Sequence, residues 1–349
     1  MVLQNQAHSS RCFPARGLAA FAALLGGLAL TGCGSGVATS LPPSINKPTP
    51  GAPSGPALGY IFSPTDGTLR AMLGVKGSSQ MSASIVPAGV YVAGDASTAS
   101  SAALLEDSTG SLFAFDLPLS QPLHVADNLP ANAHIVFSST GTTAIAYGIG
   151  GSSIALITGL PTTPQVQTIN VPAANSLASA VVSDAGTIVM ASAGSPITIG
   201  KLSATGQFTR FTTVAAAGGL NFLPGSDSLL IADNSANTVS LVSNVSTGPS
   251  IQPLSVAGLN QPIAIAASKD NKWAIVANGG DAGVLRVDLT TGTPAAKVLC
   301  ACQPTQLASL AGGGVFRVNA LYGGPVWTVD LTSVTPQLLF VPAIAKGTP

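Results

Sequence analysis

Short runs of alternating hydrophobic and polar residues recur along this chain at a nearly fixed interval. The copies TLRAML at Thr68, SLFAFDL at Ser111, SIALITGL at Ser153, ITIGKL at Ile197, TVSLVS at Thr238, VLRVDL at Val284 and VWTVDL at Val326 begin 41–46 residues apart. A second apolar run precedes most copies, as in GYIFS, TTAIAY, TIVMAS, SLLIAD, KWAIVAN and VFRVNA. Turns rich in Gly, Asp, Asn or Ser join the two runs, among them PTDG, GIGG, DNSAN and NGGDAG, and such residues accept the positive φ that a tight hairpin needs. A third run lies upstream (HIVFS, SAVVS, GLNFL, IAIAAS, QLASL) and a fourth downstream (QVQTINV, QFTRFTTV, IQPLSV, AAKVLCA, QLLFVPA). β-Branched residues dominate, and no long segment has a helical period.

Four short strands per unit of about 43 residues, repeated in series, predict blades arranged around a ring. Residues 58–349 hold seven such units; six would leave chain over, and an eighth would need another outer hairpin. The expected fold is all-β, a seven-bladed β-propeller of four-stranded antiparallel blades. A parallel β-helix is the rival, but its coils are shorter and carry fewer strands. The first unit is irregular. Gly59–Ser63 and Thr68–Leu73 read as its middle strands, and a Pro-rich stretch stands where its innermost strand should be. Either Phe340–Ala345 supplies that strand and clasps the ring, or the first blade has three strands.

The amino-terminal pattern is different. Residues 17–30 form an uncharged apolar run behind Arg11 and Arg16, followed by small residues and Cys33. This layout is that of a secretory signal, and the run is too short to span a bilayer comfortably. Leu30-Thr31-Gly32-Cys33 resembles the lipobox of bacterial lipoproteins. The resemblance implies cleavage before Cys33, so residues 1–32 are a signal peptide, and diacylglycerol attachment to the Cys33 thiol. Gly rather than Asp at 34 implies sorting to the outer membrane. Residues 33–57 then form the lipidated Cys and a disordered Pro/Gly/Ser-rich tether, and residues 58–349 the propeller domain. A membrane partner through that lipid is thereby expected.

Composition narrows the function. Only 7% of the residues are charged. Loss of Arg11 and Arg16 with the signal leaves 11 basic against 13 acidic residues, a balance of −2. A near-neutral surface argues against nucleic acid, which selects a dense basic patch.

Candidate chemistry is sparse. Asp184, Asp227 and Asp270 are spaced 43 and 43 residues apart in turns. Turn chemistry accounts for them, whereas a metal would require all three to converge on the channel. Asp116, Asp288 and Asp330 stand at corresponding strand ends and read as caps of the turns that follow. Glu106 and Asp107 are adjacent in a strand and so point to opposite faces. His124 and His134 flank one interblade connection, with Asp127 the nearest acid, and read as solvated loop residues. Trp273 and Trp327 fall within strands of different blades and read as interblade packing.

Cys300 and Cys302 form a C-A-C at the end of an outer strand. Export permits a local disulfide between them, and two buried small residues are the other reading. No H-x-x-E-H, G-x-S-x-G or phosphate loop occurs, so no catalytic, cofactor-binding or metal-binding residue is assigned and no cofactor is expected.

PIAIAASKDNKWAIVANGGDAGVLRVDLTTGTPAAKVL, Pro262 to Leu299, resembles one repeat of the YVTN-type β-propellers, and LLIADNSANTVSLV and VWTVDLTSVTPQLL echo it. The resemblance implies a surface or envelope propeller. A propeller hydrolase of the lactonase type is a more distant implication. The expected function is a monomeric, lipid-anchored interaction module with a protein or glycan partner. A lactonase-type hydrolase and an outer-membrane assembly scaffold are the alternatives.

Overall fold

The computed structural model describes residues 55–118, 121–254, 256–322 and 324–343. The signal, Cys33 and the tether up to residue 54 lie outside the described residues, as does Ala345.

Among the described residues twenty-seven strands form seven antiparallel sheets, each from consecutive strands. Blade one contains β1 (Ala57–Ser63), β2 (Thr68–Val75) and β3 (Ser78–Ser84). Blade two contains β4 (Tyr91–Ser97), β5 (Ala102–Asp107), β6 (Leu112–Asp116) and β7 (Leu123–Ala126), and blade three β8 (His134–Phe137), β9 (Thr143–Tyr147), β10 (Ser153–Thr158) and β11 (Gln165–Asn170). Blade four follows with β12 (Leu177–Val182), β13 (Ile188–Ser192), β14 (Ile197–Leu202) and β15 (Phe208–Val214). Blade five has β16 (Ala217–Phe222), β17 (Leu229–Asp233), β18 (Thr238–Ser243) and β19 (Ser250–Leu254). Blade six has β20 (Pro262–Ala267), β21 (Trp273–Asn278), β22 (Gly283–Asp288) and β23 (Pro294–Leu299), and blade seven β24 (Ala308–Ser309), β25 (Val315–Arg317), β26 (Val326–Asp330) and β27 (Gln337–Val341). Among the described residues no helix is long and apolar enough to cross a membrane.

The first strands of successive four-stranded blades contact one another around the axis, as β4 does β8 and β16 does β20. The fourth strands are the most exposed. The second strands are buried almost throughout, because both of their faces lie inside the molecule. In β13, Ile188 and Met190 pack toward blade three, while Val189 and Ala191 pack toward blade five. The same alternation sends Ala102 and Leu104 of β5 to blade three, and Ala103 and Leu105 to blade one. Seven separate apolar clusters result, one between each pair of neighbouring blades. A four-stranded sheet exposes two apolar faces and hides them only against neighbours, which is the physical reason for the ring.

The repeat places β1 with the second strands, β2 with the third and β3 with the fourth. Among the described residues blade one therefore has three strands, without an innermost one. The alternative clasp through Phe340–Ala345 is not formed by its described part. Phe340 and Val341 pair with Trp327 and Val326 as the outermost strand of blade seven. The ring closes through side chains and a few bonds. Ile61 and Met72 pack with Leu310, Val315, Val326 and Val341. Ala311 N–H donates to Leu58 O at 2.7 Å, and Lys76 Nζ meets Asp330 at 2.9 Å on the rim.

Candidate functional site

Antiparallel alternation sends two kinds of connection to each face. The turns between first and second strands and between third and fourth strands lie on one face. The turns between second and third strands, with the interblade connections, lie on the other. The acids of the first face are committed to holding turns. Asp184 accepts from Thr140 N at 2.8 Å, Thr140 Oγ1 at 2.7 Å and Gly225 N at 2.9 Å. It thereby joins turns of blades three, four and five. Burial pushes its carboxyl up, but these bonds together hold it below the ordinary value.

Asp227 and Asp270 do different work, despite their equal spacing. Asp227 accepts from Ser246 N at 2.9 Å and Ser246 Oγ at 2.6 Å, tying two turns of one blade. Asp270 accepts from Ser268 Oγ at 2.6 Å and Lys272 N at 3.2 Å, within its own turn. The three stand at different positions in their turns, so the equal period concealed unequal register. Asp288 caps Thr290 N and Thr291 N at 2.7 and 3.1 Å, and Asp330 caps Thr332 N at 2.9 Å. Asp116 ends β6.

The opposite face carries a polar cluster on blade two, and another on blade six where Lys297 and Asn278 meet Asp281. Asp107 accepts from Thr109 N and Ser111 N at 2.8 and 3.1 Å. Ser111 Oγ and His124 Nε2 both reach Asp127 Oδ1, each at 2.9 Å. Hydroxyl and imidazole share the acid instead of meeting each other, so this is not the relay a nucleophilic serine uses. His124 and His134 lie in strands β7 and β8 rather than in loops, and His134 stacks on Tyr147 at 5.6 Å. Among the described residues no three His, Cys, Asp or Glu side chains converge as a metal set.

Blade seven offers a hollow on this same face, of about 310 Å³. Cys302, Thr305, Asn319, Tyr322, Pro325 and Trp327 wall it. Two brackets hold the walls. Asn319 donates through Nδ2 to Pro325 O at 3.0 Å and accepts Trp327 N at 2.7 Å, bridging the turn between β25 and β26. Cys300 and Cys302 are joined as a disulfide across a Cα–Cα distance of 4.9 Å. Cys300 is buried between blades six and seven, while Cys302 faces the hollow.

Tyr322 projects with 68% of its surface exposed, which is unusual for so large an aromatic. Trp327 is half-buried against Phe340, with ring centroids 5.6 Å apart. Trp273 is covered by the Arg286 guanidinium of the neighbouring strand in its own blade at 4.7 Å, and it packs against the apolar cluster between blades six and seven. None of the residues lining the hollow is formally charged.

A second concavity, a groove of about 740 Å³, runs along the outer seam between β3 and β27, lined by Leu73, Gly74, Ser78, Leu339 and Phe340.

Sequence reasoning did not single out Asn319 or Tyr322. The YGGP turn was the available signal, because its glycines mark a loop too long for a simple hairpin.

The sheets and their radial stacking define a seven-bladed β-propeller. Solved structures share this fold. A functionally unknown protein from Desulfotomaculum acetoxidans DSM 771 superposes with a TM-score of 0.59 at 15% identity, over 83% of this chain and 96% of that one. The β-propeller domain of Myceliophteria thermophila Cps50 (Swd1) gives 0.54 at 8% identity, over 74% and 88%. A chain of the Mitotic Checkpoint Complex gives 0.51 at 12% identity, over 71% and 76%. Such identities show the fold and nothing of activity. No protein-family model and no curated protein matches the chain.

Proposed function

We propose that this chain is an exported YVTN-type propeller, anchored through lipid on Cys33 to the outer membrane, that works as a monomeric interaction module. The observation that carries the reading is the braced, uncharged hollow of blade seven, with Tyr322 standing exposed at its edge. Exposed aromatics beside a preformed concavity are the usual anchors of recognition, since they bring large contact area at small entropic cost. The signal layout and the Leu30–Cys33 motif support the anchor, and acyl chains on one residue hold a protein far more firmly than a single chain does.

Two measurements test the reading. Fatty-acid labelling of expressing cells is expected to mark the wild type and not Cys33→Ser; label on the variant would refute the anchor. A photo-crosslinking residue at position 322 is expected to give a discrete adduct that Trp327→Ala abolishes. The same residue at position 205, on the opposite face, is expected to give none. Equal adducts from both positions would refute the face assignment.

A further inference from the structure

The connection from β23 to β24 is tied at its two ends and little between them. At its start Cys300 N–H donates to Ala282 O at 2.8 Å, and near its end Thr305 N–H donates to Val318 O at 2.9 Å. Among the described residues no backbone hydrogen bond holds the N–H of Ala301, Cys302 or Gln303, and Pro304 has none to give. Gln303 Nε2 donates to Gly279 O at 2.9 Å, an exposed tie for which water can substitute. Gln306 Nε2 is buried with no partner, so this path of the connection leaves a donor unsatisfied. The Cys300–Cys302 disulfide is the covalent tie that holds the connection in it.

The two sulfurs have unequal surroundings. Cys300 is 8% exposed and packs with Val284 of blade six and with Phe316 and Val329 of blade seven. Cys302 is half-buried and walls the hollow beside Trp327. A nucleophile in the hollow therefore meets Cys302, while Cys300 stays covered. The bond spans a sequence separation of 2. So short a loop takes less entropy from the unfolded chain than a long one, so the bond contributes least to the ring as a whole and most to its own connection.

We propose that this disulfide is a redox latch on the hollow: an external dithiol opens it, and opening frees the wall that Cys302 supplies. One thiolate of the dithiol attacks the Cys302 sulfur from the hollow. The S–S bond breaks, and Cys300 leaves as a thiolate that takes a proton from water. The second thiol of the reductant, losing its proton, attacks the reductant's own sulfur, and Cys302 departs and is protonated. The dithiol becomes a disulfide, and two electrons and two protons pass to Cys300 and Cys302. The hollow's use as a contact face rests on the reading above, whereas the latch is tested without a partner.

The oxidised full chain is treated with dithiothreitol under native conditions, alkylated with iodoacetamide and read by peptide mass spectrometry. The bond is expected to open in the folded protein, with Cys302 alkylated about tenfold faster than Cys300 or more. Hydrogen–deuterium exchange of the reduced chain is expected to rise about tenfold in amides of 300–307, with 188–243 unchanged. Cys302→Ala is expected to show that fast exchange with or without dithiothreitol. A disulfide that opens only when the ring unfolds, alkylation of Cys300 as fast as Cys302, unchanged exchange of 300–307 after reduction, or an equal rise in all blades would overturn the proposal. If Cys302→Ala does not accumulate, the comparison of oxidised with reduced wild type decides alone. Loss of the expected crosslink at position 322 alongside these results would overturn the contact face and leave the latch standing.

Discussion

Glu106 is fully buried in β5, and its two carboxylate oxygens have different fates. Oε2 accepts Ala133 N at 2.7 Å across the boundary of blades two and three, while Oε1 is buried without a partner. Burial pushes this carboxyl above the ordinary glutamate value, and the nearby Asp107 adds to the rise against the Ala133 bond. The native state therefore holds its proton to higher pH than the unfolded chain does. Stability is full below the ordinary value and falls as pH rises through the raised one. Glu106→Gln keeps an acceptor for Ala133 and removes the charge. Thermal melts are expected to show the variant more stable by about 1 kcal/mol at pH 8 and level with wild type at pH 4. A wild-type advantage at pH 8 would contradict this account. Adjacency in a strand made the opposite orientations of Glu106 and Asp107 legible in advance. The burial of Glu106 was not, because it depends on a blade that the local pattern does not show.

At the scale of elements, the second strands were the most legible feature. Their near-continuous apolar runs follow from having two interior faces. The close approach of inner strands was less legible, since it depends on the absence of side chains. A Cβ on Gly218 would lie 1.8 Å from Pro262 O, and one on Gly219 about as near the β20 backbone as 3.0 Å. Main chain cannot swing away as a flexible side chain does. Gly218→Ala is expected to cost about 2–3 kcal/mol by denaturant unfolding, through displacement of β16 from β20. A cost under half a kilocalorie would show that the two strands part easily. Gly225→Ala serves as a comparison for backbone conformation alone, since its φ is +61° and nothing lies within 4 Å of its Cβ position.

For the molecule as a whole, the repeat predicted seven units but could not fix their closure. Period reports what recurs, and the closing seam is where recurrence stops. It also obscured Asp184, whose interblade role depends on its place within the turn. Because Asp184 joins three blades, Asp184→Ala is expected to lower stability by about 1–2 kcal/mol at neutral pH. Its folded carboxyl lies below the ordinary value, so its contribution is present above that value and lost as pH falls through the folded one. The difference between variant and wild type is thus expected to shrink in acid; a constant difference across pH would indicate packing alone. The candidate site was legible only in outline. Cys300 and Cys302 drew notice as a pair, but the hollow they help to wall is assembled from a connection and a turn that sequence order keeps apart.

Among the described residues no sheet borrows a strand from the far end of the chain. Each sector can zip up as soon as its own residues emerge, because its described pairing partners are already at hand. Only the last docking step must await the carboxyl end. A nascent chain can thus grow as an arc of finished sectors, with an apolar flank bare at each end until the two ends meet.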